Sequence, residues 1–326
     1  MSLSPRIVVE IVVLACFAAV PSIMNWLDQP FYVDMASRIM IFAIAALSLD
    51  LILGFGGMVS FGHAAYIGVG AYCVGILAYH GVENGWVQFA TAIAVCAGVA
   101  ALIGAVCLRT TGVYFIMITL AFAQMLFFLG VSLEAYGGDD GLPSVRSDFG
   151  FGLNLYDSDQ FYYLVFAVLV VAFVFCRRLV DSRFGLVVRG TRSNAARMQA
   201  IGYQTYLYRL ACFVIAGVIC GIAGALFANW NEFASPDYMH WTRSGELIIM
   251  VVLGGMATLL GPILGATAFL LLEEYLPNAI ELVAPGYGDF WGIVFGPILI
   301  LIVLFGRGGI YGIGGRLASR FGGRDG

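Results

Sequence analysis

GFGGMVSFGHAAYIGVGAY, residues 54–72, is the stretch from which the fold is read. It places Ser60, His63 and glycines at 54, 56, 57, 62, 68 and 70 inside what hydropathy otherwise assigns to membrane. Glycines let backbones approach closely and let a helix break. Broken backbone at membrane depth survives only when it is buried in protein or lines a wet cavity. The segment therefore marks the interior of a polytopic membrane protein, with Gly57, Ser60 and His63 as helix-break candidates.

Composition points to the same class. Hydrophobic residues make up 61% of the 326 and charged ones 11%, with a mean hydropathy of +0.94. Charge is too scarce to clothe a water-facing surface, which excludes a soluble core with a polar shell. The net charge of -4 says little, because the placement of the charges matters more than their sum.

Apolar runs occur at about 7–26, 36–53, 63–79, 87–107, 113–133, 161–176, 210–229, 246–272 and 290–305. Each is near the roughly 20 residues that cross hydrocarbon. Arginines gather in the 177–209 loop (Arg177, Arg178, Arg183, Arg189, Arg192, Arg197, Arg209) and the tail (Arg307, Arg316, Arg320, Arg324), which assigns both to the cytoplasm, with Arg6 placing the N-terminus there too. Nine crossings cannot join two ends on one side. The run 246–272, interrupted by Gly254, Gly255, Gly261 and Pro262, is therefore expected to be a broken hairpin.

Ten crossings result, with only Arg38, Arg146 and Arg243 outside. The expected fold is an all-α helical bundle in one membrane domain, 1–326, with a cytoplasmic loop at 177–209 and the largest outer loop at 134–160. The first run has no convincing small-x-small cleavage site before Trp26 and reads as a retained span. GGM at 56–58 and GGM at 254–256 each follow an inward-going span, a short echo of the kind seen in transporters built from repeats.

Several chemistries are missing. There is no lysine, so the GxxxxGK[ST] phosphate loop is excluded. His63, His80 and His240 are too scattered to suggest a metal site, and neither GxSxG nor HExxH occurs. The seven cysteines (Cys16, Cys73, Cys96, Cys107, Cys176, Cys212, Cys220) fall in or at the ends of spans without a CxxC pair, and read as apolar filler. No catalytic or metal-binding residues are expected in this chain.

The loop DSRFGLVVRGTRSNAARMQAIGYQTYLYR, 181–209, spaces its apolar residues Val187, Val188, Ala195, Ala196, Met198 and Ile201 as short amphipathic helices at the cytoplasmic face. Two readings stand: a basic connector touching anionic lipid headgroups, or a docking surface for a soluble subunit.

The chain resembles the permease subunits of bacterial branched-chain amino acid ABC importers, the LIV-type family, and within it the longer M-type member. The resemblance rests on ALSLDLILGFGGMVSFGHAAYIGVGAY (46–72), LRTTGVYFIMITLAFAQM (108–125), GGDDGL (137–142), FGLVVRGTRSNAARMQAIG (184–202), FVIAGVICGIAGALFA (213–228) and ELIIMVVLGGMATLLGPILGA (246–266). It implies half of a pore in the bacterial inner membrane. The other components would be an H-type permease, two cytoplasmic ATPase subunits that use ATP and Mg, and a periplasmic solute-binding protein. No nucleic acid is implied, and membrane lipid surrounds the assembly.

By that resemblance Gly185, Arg189, Arg192, Ala195, Ala196 and Gly202 belong to the ATPase-contacting loop. The usual importer loop has Glu-Ala-Ala, three residues, then Gly; here Asn194 stands for the acid and five residues intervene. Relatives with this pattern import branched-chain or other amino acids, urea or amides, and aromatic acids. A proton-coupled secondary carrier is the runner-up, and a membrane enzyme using Asp139 and Asp140 comes third.

Among membrane polar residues, Asp50 is a candidate because a carboxylate there costs about 2.5–3.5 kcal/mol on insertion scales. It is expected either to make a structural hydrogen bond, to a partner such as His63 or as a cap on the broken helix, or to touch solute. Ser60 is expected as N-cap of the returning helix, and His63 as a partner for freed backbone groups or a proton relay. Thr119 and Gln124 lie about 140° apart on their helix, so at most one need face a pore. With Gly254 and Gly255 they complete the translocation-path candidates.

Overall fold

The computed structural model describes residues 5–150, 152, 154–283, 286, 290–305 and 308–312. The readings attached to residues 1–4 and to Arg307, Arg316, Arg320 and Arg324 lie outside the described residues. The described chain is a helical bundle of α1 (Pro5–Trp26), α2 (Pro30–Asp50), α3 (Ala65–Tyr79), α4 (Gly85–Cys107), α5 (Val113–Ser132), α6 (Ser158–Asp181), α7 (Arg183–Ser193), α8 (Ala195–Ala200), α9 (Thr205–Asn231), α10 (Trp241–Gly254), α11 (Gly261–Val283) and α12 (Trp291–Phe305). Among the described residues seven helices are long and apolar enough to cross a membrane: α1, α2 with its extension to Phe55, α4, α5, α6, α9 and α11. Helices α3, α10 and α12, of 15, 14 and 15 residues, are shorter.

Helix α2 is the axis. It starts with Pro30, whose missing N–H is one of the donors a first turn leaves unpaired anyway, and runs on through a π turn at Leu51–Phe55. Of its most hydropathic window 89% is buried, against 6% for α1. It packs on α6, α9, α10 and α11. A helix apolar on every side has no preferred face, so it belongs in the centre, whereas α1 presents most of its surface outward.

Beside it α9 carries Gly217, Gly221 and Gly224 towards α3 and α4. A Cβ on Gly217 would meet the Ala100 methyl at 2.8 Å, and one on Gly224 would meet the Ile67 backbone. Small residues in this register let helices touch backbone to backbone, which supplies packing where lipid gives no hydrophobic drive.

The run 246–272 is two helices. Helix α10 ends at Gly254 and α11 begins at Gly261, and the two return on each other as a hairpin. A Cβ on Gly265 would lie 2.8 Å from the Gly254 nitrogen and one on Gly254 2.9 Å from the Gly265 nitrogen. Helix α11 continues past the apolar run to Val283, and Glu273 within it is paired with Arg38 of α2 at 3.2 Å.

Side-chain ties sort the element ends into two sets. At one end Arg177 pairs with Glu10, Tyr206 reaches the Ala105 carbonyl at 2.9 Å, and α7, α8 and the 255–260 turn gather. At the other, Asn25 meets Asp159 at 2.6 Å and Trp230 meets Asp34 at 3.1 Å. The described residues of the 134–160 loop cap that end. Leu142–Pro143 pairs antiparallel with Phe233–Ala234, and Arg146 pairs with Glu232 at 2.8 Å. Among the described residues this two-residue ladder is the one strand pair, which an all-α reading leaves out.

The two ends make the hairpin testable. With native cysteines replaced, a cysteine at Met256, which is 48% exposed, is expected to label from the side that carries α7 and α8. One at Asn278, exposed on the far half of α11, is expected to label from the other. Leu260 is only 2% exposed and is unsuitable as a probe. Equal accessibility of 256 and 278 to an impermeant maleimide would refute the hairpin.

Candidate functional site

Between the π turn and α3 the chain has no helix. Gly57, at φ +68°, turns it back, and residues 56–64 re-enter the bundle with Met58, Ser60, Gly62, His63 and Ala64 all buried. Unpaired amides there would each cost several kcal/mol, since no bulk water reaches them. Side chains from three helices accept or supply missing hydrogen bonds there. Thr119 of α5 accepts from Phe61 N at 3.3 Å and Ser244 of α10 accepts from Ala64 N at 3.0 Å. Cys220 of α9 donates to the His63 carbonyl at 3.4 Å.

From α2, Ser48 donates to the Ala45 carbonyl at 2.7 Å and stands 2.8 Å from His63 Nε2. The hydroxyl has one proton, already used on Ala45, so His63 donates from Nε2 and its Nδ1 is a bare acceptor. Among the described residues that Nδ1 has no partner. The surroundings of His63 are Ser48, Cys220 and the edge of Tyr66, none of them charged, and against expectation its ring bonds the Ser48 side chain and no freed backbone group among the described residues.

Two further expectations change. Ser60 is not the N-cap of α3. That position is Ala64, which has no side-chain cap of its own, and Ser60 instead accepts from Gly62 N at 3.3 Å. The non-helical chain runs on past Ser60 to Ala64, whose amide is taken by Ser244 of α10. Asp50 does not meet His63. Its Oδ1 accepts from Ala257 N at 2.9 Å, across to the α10–α11 turn. Asp50 is fully buried, and its Oδ2 has no hydrogen-bond partner among the described residues. Thr119 is buried and Gln124 half-buried on α5, the Nε2 of Gln124 unpartnered among the described residues.

Gly254 ends α10, and Gly255 follows at φ +119°. The turn is stitched by Thr258, which donates to the Gly255 carbonyl at 2.7 Å and accepts from Gly261 N at 3.1 Å. Both GGM stretches thus lie at one end of the bundle and meet through Asp50.

At this end lies the arginine-rich segment. Ser182 caps α7, accepting from Gly185 N at 3.4 Å. Gly185 packs on the end of α6, where a Cβ would lie 2.6 Å from the Leu179 carbonyl oxygen. Asn194 caps α8, its Oδ1 accepting from Arg197 N at 2.9 Å. Gly202, at φ +97°, ends it. Gly202 N bonds the Gln199 carbonyl at 2.9 Å and Tyr203 N the Met198 carbonyl at 3.1 Å, the paired pattern that closes a helix on a left-handed glycine. Six helical residues lie between these caps, which accounts for the longer spacing to the glycine.

Two arginines of the loop reach back to the bundle from exposed positions. Arg189 donates to the Val180 carbonyl at 3.1 Å and Arg192 to the Gly54 carbonyl. Two large apolar side chains face outward among polar ones such as Arg183, Arg197 and Gln199: Leu186 is 59% and Ile201 66% exposed, with Ala196 exposed and Ala195 half-buried beside them. Leu186 is absent from the sequence-based candidates, although its place opposite Val187 and Val188 on a helix with both faces apolar was a readable signal. A cleft of about 290 Å³ opens between this segment and the hairpin turn, lined by Glu10, Asp181, Arg189, Ala257, Thr258 and Tyr311. Among the described residues no group of histidine, cysteine and carboxylate side chains could hold a metal ion, and Asp139 and Asp140 sit exposed in a short turn.

A helical membrane bundle with re-entrant backbone at its centre and amphipathic helices docked on one end is a multi-pass transport protein. The chain belongs to the family of branched-chain amino acid transport system permease components, whose model matches residues 31–303. It is 26% identical over 297 residues to the high-affinity branched-chain amino acid transport system permease protein LivM of Salmonella typhimurium, covering 84% of this chain and 68% of that one. The probable branched-chain amino acid transport permease protein LivM of Methanocaldococcus jannaschii is 25% identical, with 85% of this chain and 93% of that one covered. LivH of Escherichia coli, a permease of the same system, is 24% identical over 290 residues, 83% of this chain and 91% of that one. No solved structure matches the chain.

The backbone account predicts a selective loss. Ser244→Ala leaves Ala64 N buried without an acceptor and is expected to destabilise the purified protein by about 1–3 kcal/mol. Thr267→Ala removes only a hydroxyl bonded to its own helix, at Ile263 O, and is expected to have a much smaller effect. Thermal unfolding in detergent checks the pair; equal losses would mean that the re-entrant segment is held by packing alone.

Proposed function

We propose that this chain is one of two permease subunits of an ATP-driven importer in the bacterial inner membrane, with both termini and the 177–209 segment in the cytoplasm and ten crossings in all. The observation that carries the reading is the family match over residues 31–303, together with α7 and α8 presenting Leu186 and Ile201 to water. Exposed apolar side chains on an otherwise polar, well-capped surface fit a protein partner better than a free loop. The partner is a cytoplasmic ATPase subunit, two per complex, which binds ATP and Mg. The second permease is of the LivH kind, and a periplasmic binding protein delivers solute.

The solute is a branched-chain amino acid or a close relative, following what the relatives LivM and LivH are named for; urea or amides and aromatic acids are the alternatives. Uptake of a panel of labelled solutes in a deletion strain decides among them. The chain itself works as a permease. Purified alone in proteoliposomes, it is expected to hydrolyse no ATP and to accumulate no solute under a proton gradient. Gradient-driven uptake by the isolated chain would favour a secondary carrier.

Docking has its own test. Leu186→Glu and Ile201→Glu are expected to weaken co-purification of the ATPase while leaving membrane insertion intact. Gly202→Val is expected to do the same by straining a left-handed backbone position, although there is open space for its side chain. Unchanged complex yield in all three variants would leave the segment as a lipid-facing connector.

A further inference from the structure

The inward side of the same segment carries a second role, which rests on the docking reading above. Arg192 leaves α7 and donates to the Gly54 carbonyl, inside the π turn that ends α2. A π turn widens the helix and frees carbonyls of the ordinary ladder, and such turns recur at functional positions. Gly57 is pressed against the same side chain: a Cβ there would lie 2.7 Å from Arg192 Cγ. One turn earlier on α2, Asp50 Oδ1 holds Ala257 N at 2.9 Å, and Arg192 lies within electrostatic reach of that carboxylate.

Ala257 is itself unusual. Its φ of +59° is a left-handed conformation that costs a residue with a Cβ about 1–2 kcal/mol, and it persists only where the surroundings hold it. Asp50 is the side chain that grips its amide. Gly54 is the only residue type that fits between them, because a Cβ there would collide with both Asp50 Oδ1 and Ala257 N. A cytoplasmic helix, the end of α2 and the turn between α10 and α11 are thus joined through one buried carboxylate and one arginine. The cleft of about 290 Å³ beside the turn gives it room to move.

We propose that Asp50 and Arg192 are positioning residues that transmit displacement of the α7–α8 segment to the 255–260 turn, and so set the inner ends of α10 and α11 during transport, without touching solute.

The complex reconstituted with its ATPases and binding protein provides the test, read as solute imported per ATP hydrolysed. Asp50→Ala removes both the grip on Ala257 and the attraction to Arg192. It is expected to lower that ratio about fivefold or more, the low end of coupling between distant sites. The KM for solute and co-purification of the ATPase are expected to stay unchanged. Asp50→Asn keeps the acceptor and the size, so it folds more readily and is expected to give an intermediate ratio.

Arg192→Met is expected to match Asp50→Ala, and the double variant to be no worse than the poorer single one, since both act through one joint. Multiplying losses in the double variant would overturn the proposal. So would a raised KM with an unchanged ratio, which would make Asp50 a solute contact, or a wild-type ratio in Asp50→Ala. Co-purification reports separately on docking: its loss in Leu186→Glu with a lowered ratio in Asp50→Ala supports both readings, and its retention there counts against docking alone.

Discussion

The structure depends on one constraint: nine residues of non-helical backbone, 56–64, sit inside a bundle where water does not supply hydrogen bonds. A continuous helix satisfies itself and can be moved, rotated or exchanged against its neighbours. A broken one needs donors and acceptors from outside, at defined places. Thr119, Cys220 and Ser244 answer that need from three helices, and Ser48 of α2 holds the His63 ring. These side chains tie α2, α5, α9 and α10 to the break.

The glycines act in the opposite sense. Along α9 they remove side chains so that α3 and α4 come to backbone contact, and at Gly254 and Gly265 they close the α10–α11 hairpin. Hydrocarbon offers helices no hydrophobic reason to associate, so close packing and interhelical hydrogen bonds hold the bundle together. Both GGM stretches follow a helix end at one end of the bundle, and Asp50 of α2 bonds Ala257, next to the second.

The 183–201 segment shows how short helices serve two surfaces. Val187 and Val188 bury against the bundle while Leu186 and, on α8, Ile201 face away. Arg189 and Arg192, exposed on the same segment, donate to carbonyls at the ends of α6 and α2. Carbonyls at a helix C-terminus carry partial negative charge, and an arginine nearby is more useful there than in water.

Hydropathy, the arginine bias and the glycine-rich stretch were sufficient to read an all-α membrane bundle, a broken run at 246–272 and short helices in the 181–209 loop. Those features are local: period, composition and glycine placement act within a few residues. The partners of Asp50, His63, Ser60 and Arg192 were not legible, because each lies on an element distant in the chain, as with Asp50 and Ala257, 207 positions apart. A buried carboxylate announces by its cost that it needs a partner, but only tertiary packing decides which amide is close enough to be that partner.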